Sequence, residues 1–344
     1  DYVDVVFVTG DAYVDHPSFA AAILHRVLER AGFRVAVLSQ PDWHSCAPWK
    51  QFGRPRLFFA VSAGNMDSLI NHYTANKKVR NDDAYSPGGR IGLRPDRATL
   101  PYCQRAREAF PGVPVIAGGV EASLRRLAHY DYWSDSVRRS ILLDSKADLV
   151  VYGMGEQNIV TIAQKLKAGA TLRDLRALRG VTYALGAKES DALRDNLPSA
   201  GEKVELLPSF EEVRDSKPAF AEATRLIHTN TNPFNAATLV QFHDRQAVVQ
   251  NPPALPLSQA EIDAVYDLPY NRRPHPSYQE PIPAHEMIKD SVTILRGCFG
   301  GCTFCSITAH QGRIIQSRSH ESVVREVEKL AADPEFKGVI SDIG

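Results

Sequence analysis

The sequence has 344 residues, 44% hydrophobic and 23% charged, the proportions of a soluble globular protein of about two domains. Its 40 basic residues balance 40 acidic ones, which excludes a globally basic nucleic-acid binder while leaving room for a local basic groove. No run approaches about 18 uninterrupted apolar residues, so no membrane-spanning helix is expected.

The start, Asp1-Tyr2-Val3-Asp4, lacks the basic and apolar stretches of a signal peptide, and the absence of methionine there leads us to expect further residues upstream. Val5-Val6-Phe7-Val8 is a short apolar run ending at Thr9-Gly10. The spacing of Ala21, Ile23, Leu24, Val27 and Leu28 predicts a helix over Ser18 to Glu29, with Gly32 as its terminator. Val35-Ala36-Val37-Leu38 is the next strand, and the β–α–β unit predicts a parallel sheet. Further strands are expected at Leu57–Val61, Val113–Ala117 and Ala147–Val151. The last two end at Gly118-Gly119 and Gly153-Met154-Gly155, where open α/β sheets place ligands, and a helix is expected from Gln157 to Leu166. No GxGxxG or GxxxxGK[ST] pattern supports nucleotide binding.

Between these strands, Asn71 to Arg97 is polar and reads as a long surface excursion. Glu121 to Arg139 sets Leu124-Arg125-Arg126 and Arg138-Arg139 around His129-Tyr130-Asp131-Tyr132-Trp133. Such a segment suits a domain interface, or stacking on a base. Val181–Leu185 reads as a last strand, which puts a boundary near residue 190. Beyond it, Val213 to His228 is partly helical and Leu239 to Val249 is a hairpin around His243-Asp244-Arg245-Gln246. A proline-rich path follows, with a capping box at Ser258-Gln259-Ala260-Glu261.

Of five cysteines, three fall in Gly297-Cys298-Phe299-Gly300-Gly301-Cys302-Thr303-Phe304-Cys305, directly after the strand candidate Ser291–Arg296. An odd, clustered set argues against disulfides and for reduced thiols in a cytoplasmic setting. Cys46 and Cys103 read as isolated thiols without chemistry. Three thiolates spaced CxxxCxxC suit an iron–sulfur cubane with one iron left open, and the glycines relieve crowding around the sulfurs. Zinc would need a fourth ligand, for which only His310 is near, and unligated thiols are a third reading.

This segment resembles the radical S-adenosylmethionine (SAM) superfamily, whose hallmark is CxxxCxxC after the first strand of a partial (β/α)6 barrel. More narrowly, the chain resembles the YgiQ family (UPF0313-like). The matching segments are Asn65-Met66-Asp67-Ser68, Arg94-Pro95-Asp96-Arg97, Glu121–Arg126, Ala128–Asp135, His310-Gln311-Gly312-Arg313 and Ser317-Arg318-Ser319. The resemblance implies an α/β fold: an N-terminal Rossmann-like, cobalamin-binding-like parallel sheet (1–190), a connector (191–286) and the start of the radical SAM core (287–344). It implies a [4Fe–4S] cluster on Cys298, Cys302 and Cys305, with SAM on the open iron cleaved reductively to a 5′-deoxyadenosyl radical. It also implies an electron donor such as flavodoxin or ferredoxin, and a substrate that the residues do not name, a macromolecule among the candidates.

After the loop, Ser319 begins a helix and Val339-Ile340 reads as the second barrel strand, so Asp342 and Gly344 are candidates for holding SAM. Arg318 is a candidate for its carboxylate or for an ordinary salt bridge; His310 reads as a polar or packing contact. No catalytic residue is assigned. Cobalamin would want a DxHxxG loop after the first strand; Gly10–Pro17 lacks it, and Asp42-Trp43-His44 follows the second strand, so no lower histidine ligand is expected, and the reading left for cobalamin is binding without one. The chain carries only the first strand, helix and second strand of a barrel, so this piece alone is expected to hold a cluster without turnover. The competing readings are a zinc-stabilised nucleic-acid binding protein and an iron–sulfur electron carrier that does not cleave SAM.

Overall fold

The computed structural model describes residues 2–196, 203–302 and 304–344; Thr303, inside the cysteine segment, lies outside them. The opening unit forms as expected: β1 (Val5–Thr9), α1 (Ala20–Arg30) and β2 (Val35–Ser39). The apolar face of α1 buries Ala21, Ala22, Ile23, Val27 and Leu28. Gly32, at φ 83°, makes the left-handed turn that returns the chain to β2. β3 (Phe58–Ser62), α2 (Ser68–His72), α3 (Thr99–Ala109), β4 (Val115–Gly118) and α4 (Gly119–Leu124) follow. A small hairpin of β5 (His129–Asp131) and β6 (Ser136–Arg138) precedes α5 (Ile141–Ser145), β7 (Leu149–Val151) and α6 (Glu156–Lys167).

β2, β1, β3, β4 and β7 lie side by side in parallel. Successive side chains of each strand enter opposite layers. Val6, Val8, Phe59, Val61, Val115 and Ala117 pack with Tyr102, Cys103 and Ala106 of α3. Val5, Phe7, Phe58, Ala60, Ile116 and Val151 pack instead with α1 and α6. Burial on both faces explains why these strands read as unbroken apolar runs. Cys103 sits in the first layer, where burial pushes its thiol up to about 12 and leaves it inert.

The expectation of a purely parallel sheet ending at Val181–Leu185 needs correction. β8 (Val181–Leu185) runs antiparallel to β7, and the sheet then continues through the expected connector. After α7 (Ala187–Asp195) come β9 (Val204–Leu206), α8 (Phe210–Asp215), α9 (Lys217–Thr229) and the hairpin of β10 (Thr238–His243) and β11 (Gln246–Gln250). The full order is β2-β1-β3-β4-β7-β8-β11-β10-β9, a nine-stranded mixed sheet, so residue 190 marks no edge of it. The hairpin is apolar on both sides: Leu239 and Val248 join one layer, and Val240, Phe242 and Val249 another. It buries both only by pairing β11 with β8.

The final third consists of α10 (Gln259–Tyr266), α11 (Pro283–Ile288), β12 (Ser291–Val292), β13 (Leu295–Arg296), α12 (Ser306–His310), β14 (Gln316–Ser317), α13 (His320–Ala331) and β15 (Asp342–Ile343). The capping box at Ser258 and Glu261 is present. The single strand expected over 291–296 divides in two: β12 pairs in parallel with β15, and β13 pairs antiparallel with β14. The strand expected at Val339-Ile340 lies instead at Asp342–Ile343. The ladder bonds Gly344 N–H to Val292 O (3.2 Å) and Ile294 N–H to Gly344 O (2.9 Å) set that register.

Residues 71–97 form the expected surface excursion over 75–82, which are exposed, but not at Arg94. Arg94 is fully buried, paired with Asp11 at 2.7 Å and Asp83 at 3.1 Å, and donates to the Ala63 carbonyl at 3.2 Å. The charges that made the segment look solvated neutralise one another beneath the carboxyl ends of β1 and β3.

Two buried histidines give the fold an acid limit. Burial holds His16 down to about 2 and His243 down to about 4, so both are neutral in the folded state and protonate readily when unfolded. Stability is full above about pH 6.5 and falls as pH drops below it, by at most about 1.4 kcal/mol per pH unit for each histidine. Urea unfolding at pH 7.5 and pH 5 checks this; equal stability at both would contradict it.

Candidate functional site

The cysteine loop is shaped by backbone constraints that glycine meets. Gly297 has φ 87°, and a Cβ there would lie 2.3 Å from the Ile314 carbonyl oxygen, so no side chain fits. Its N–H donates to Gln311 Oε1 at 3.0 Å, and the Cys298 N–H donates to the Gly312 carbonyl at 3.1 Å. A Cβ on Gly300 would meet Cys298 Sγ at 3.4 Å and Cys302 Sγ at 3.9 Å, so both thiols lean over this residue. The Cys305 N–H donates to the Cys302 carbonyl at 3.1 Å, and Cys305 begins α12 without spending its side chain on the cap. All three thiols are free, with Cys302 exposed and the other two half-buried. Phe299 and Phe304 beside them are exposed as well.

Among the described residues, no three His, Cys, Asp or Glu side chains are drawn together tightly enough to hold a metal ion. The donor chemistry still selects a soft, thiolate-ligated group: three cysteines within eight positions, two of whose sulfurs lie over Gly300. His310 is turned away. Its Nδ1 meets Ser123 Oγ at 3.0 Å, and desolvation lowers its imidazole to about 4, so it is a neutral docking contact of α12 on α4. That contact lies at the start of the segment 121–139, whose Tyr130 and Tyr132 face solvent in the hairpin.

Two ion pairs fix the loop from behind. Arg296, two residues before Cys298, pairs with Glu156 in the first turn of α6 and donates to the Tyr266 hydroxyl at 3.0 Å. Arg318 is buried and pairs with Glu326, while its Nη1 donates to the Thr293 carbonyl at 2.8 Å. Both guanidinium carbons lie over the Tyr266 ring, at 5.1 Å for Arg296 and 4.4 Å for Arg318. Of the two readings of Arg318, the structure gives the salt bridge. Asp342, on the exposed β15, and Gly344, just beyond it, come out through the parallel pairing with β12 at the end from which the cysteine loop departs. Arg296, Glu156 and Tyr266 were not singled out in the sequence; only the glutamate opening a helix after a glycine turn gave a signal.

The segments that carry the family resemblance meet in one buried polar scaffold. Asp67 caps α2 and pairs with Arg125. Glu121 accepts from the Ser68 N–H and the Thr99 N–H, both at 3.0 Å. Arg97 holds Asp131 at 2.6 Å. An apolar cavity of about 100 Å³ adjoins this scaffold at the carboxyl edge of the sheet, with Gly118, Gly119, Gly153 and Gly155 in its walls and His310 at its end.

A Rossmann-like sheet leading into a three-cysteine loop at the first parallel strand pair defines a radical SAM protein, and the Radical SAM N-terminal family matches residues 1–291. The chain is 56% identical to a UPF0313 protein of Rhodopseudomonas palustris, over 100% of its own length and 53% of the relative. It is 55% identical to a UPF0313 protein of Geobacter sulfurreducens, covering 55% of that protein. Against the UPF0313 protein YgiQ of Salmonella typhimurium it is 49% identical and covers 54%. The chain belongs to the UPF0313 (YgiQ) family of radical SAM proteins, and spans about half the length of these curated relatives. In fold it is similar to the radical SAM methyltransferase TsrM of Kitasatospora setae, solved with cobalamin and a [4Fe–4S] cluster. The TM-score is 0.51 at 17% identity, covering 96% of this chain and 46% of that one. A second TsrM structure, with tryptophan and a SAM analog, gives a TM-score of 0.50 at 16% identity. No helix among the described residues is long and apolar enough to cross a membrane.

Proposed function

We propose that Cys298, Cys302 and Cys305 hold a [4Fe–4S] cluster whose open iron takes SAM, and that the whole protein modifies a substrate by radical chemistry in the cytoplasm. The observation that carries this reading is the Gly300 cradle, over which two of three otherwise uncommitted thiols converge. When bound, the cluster supplies the electron for reductive cleavage of SAM, delivered to it by a flavodoxin- or ferredoxin-like donor. The chain's own residues do the positioning. Gly297 and Gly312 set the loop backbone, Arg296 anchors its start to α6, and His310 anchors its end to α4. Asp342 would accept from the SAM amino group and Gly344 would pack against it. Arg318 acts through Glu326 as scaffold. The cofactor set is the cluster and SAM; in the loop between β1 and α1, His16 is fully buried and offers cobalamin no lower ligand.

Anaerobic reconstitution of the full-length protein tests this. About four iron and four sulfide per chain are expected, with 5′-deoxyadenosine formed from SAM and dithionite. One zinc without sulfide would replace the reading by a zinc-stabilised nucleic-acid binder. A cluster without SAM cleavage would leave an electron carrier. Corrinoid in the purified protein would add cobalamin to the set.

A further inference from the structure

Arg126 is 5% exposed, yet every group it touches is neutral. Its Nε donates to Gln250 Oε1 at 2.6 Å, its Nη1 donates to the Ser123 carbonyl, and its Cζ lies 4.6 Å from the centre of the Tyr152 ring. Nη2 has no hydrogen-bond partner among the described residues. Other buried arginines are treated differently: Arg94, Arg125, Arg296 and Arg318 each hold a carboxylate. Burial without a counter-ion pulls the Arg126 guanidinium below its ordinary pKa. A buried cation in this condition is costly, and an anion supplied from outside would relieve it.

Arg126 lines a cavity of about 70 Å³ between the carboxyl edge of the sheet and the 308–316 segment. That is several times the roughly 10–15 Å³ that one water molecule needs, and enough for a compact anionic group. Gly153, Met154 and Gln157 bring the start of α6 to the same wall, and this 12-residue helix has no side-chain cap at its N-terminus. Glu156 also reaches the wall, but Arg296 neutralises it. Arg313, on the far side, has no carboxylate partner among the described residues, and donates to the Phe299 carbonyl at 3.4 Å. The charge left over is positive.

We propose that this cavity binds the phosphate or carboxylate group of a small molecule, with Arg126 as the buried counter-charge and Arg313 at the entrance. The site is separate from the SAM end of the strand pair, since none of its walls comes from Cys298–Cys305 or Asp342–Gly344. Gln311 and Gly312, which hold the Gly297 and Cys298 amides, do form part of it. An occupant therefore rests against the back of the cysteine loop.

Isothermal titration of the purified full-length protein with inorganic phosphate and, separately, with citrate tests the assignment. Saturable binding of at least one is expected. Arg126→Gln should weaken it at least about ten-fold, the loss of a charged hydrogen-bonding partner, and Arg126→Lys should recover part of it. Phosphate alone binding identifies a phosphoryl ligand, and citrate alone a carboxylate. Absence of binding by both, or equal affinity in Arg126→Gln, overturns the proposal. Should Arg126→Gln fail to fold, the exposed Arg313→Gln should still weaken binding about three-fold, and unchanged affinity there overturns the proposal equally.

Discussion

Cys302→Ala is expected to leave less than one iron per chain after anaerobic reconstitution and to abolish 5′-deoxyadenosine formation from SAM. A cubane held by two thiolates would lose a corner, and the nearest candidates among the described residues do not replace it: His310 is committed to Ser123, and the isolated Cys103 is buried in the sheet's core. Gly297→Val should have nearly the same result through geometry. Its Cβ would need the space of the Ile314 carbonyl, and its φ of 87° is one a β-branched residue avoids. Cys46→Ala is the control and should keep full iron. Retention of about four iron by Cys302→Ala, with circular dichroism showing an intact fold, would remove that cysteine from the ligand set.

Arg94→Leu is expected to destabilise the protein by about 3–5 kcal/mol, because Asp11 and Asp83 would then face each other in the interior without a cation. The pH dependence separates charge from packing. Burial already raises the Asp11 carboxyl above its ordinary value, and loss of Arg94 raises it further. A carboxyl whose folded pKa is raised favours the folded state at low pH and opposes it as pH rises through that value. The variant's deficit in urea unfolding should therefore narrow from pH 7 to pH 5, relative to the parent. A deficit that is constant with pH would mean that lost packing is the cause.

These two sites differ in how far they were legible. The cysteine loop could be read from spacing and glycine content, because its constraints are local: each glycine answers to a residue at most 17 positions away, as Gly297 does to Ile314. The first five strands were legible because burial on both faces leaves runs such as Val5–Val8 and Phe58–Val61. Arg94 was misread because its partners, Asp11 and Asp83, come from separate places in the chain, and a charged residue carries no sign of its pairing. The same holds for Arg318, whose role depends on Glu326. The extent of the sheet was missed for a different reason. β10 and β11 were recognised as a hairpin, but a hairpin's sequence does not state which free edge it will join.

The ion pair between Glu156 and Arg296 joins two distant parts of the chain. Glu156 begins the helix that leaves the carboxyl edge of the sheet, and Arg296 stands two residues before the first cysteine. Tyr266 braces Arg296 from the other side and touches Arg318 in turn. In mechanical terms this is a strut with a fixed pivot. A displacement of the sheet edge by a bound molecule would be transmitted to the mouth of the cysteine loop rather than absorbed by a slack linker. The N-terminal half is thereby built to set the position of the cysteine loop, and whatever occupies its edge has mechanical leverage over that loop.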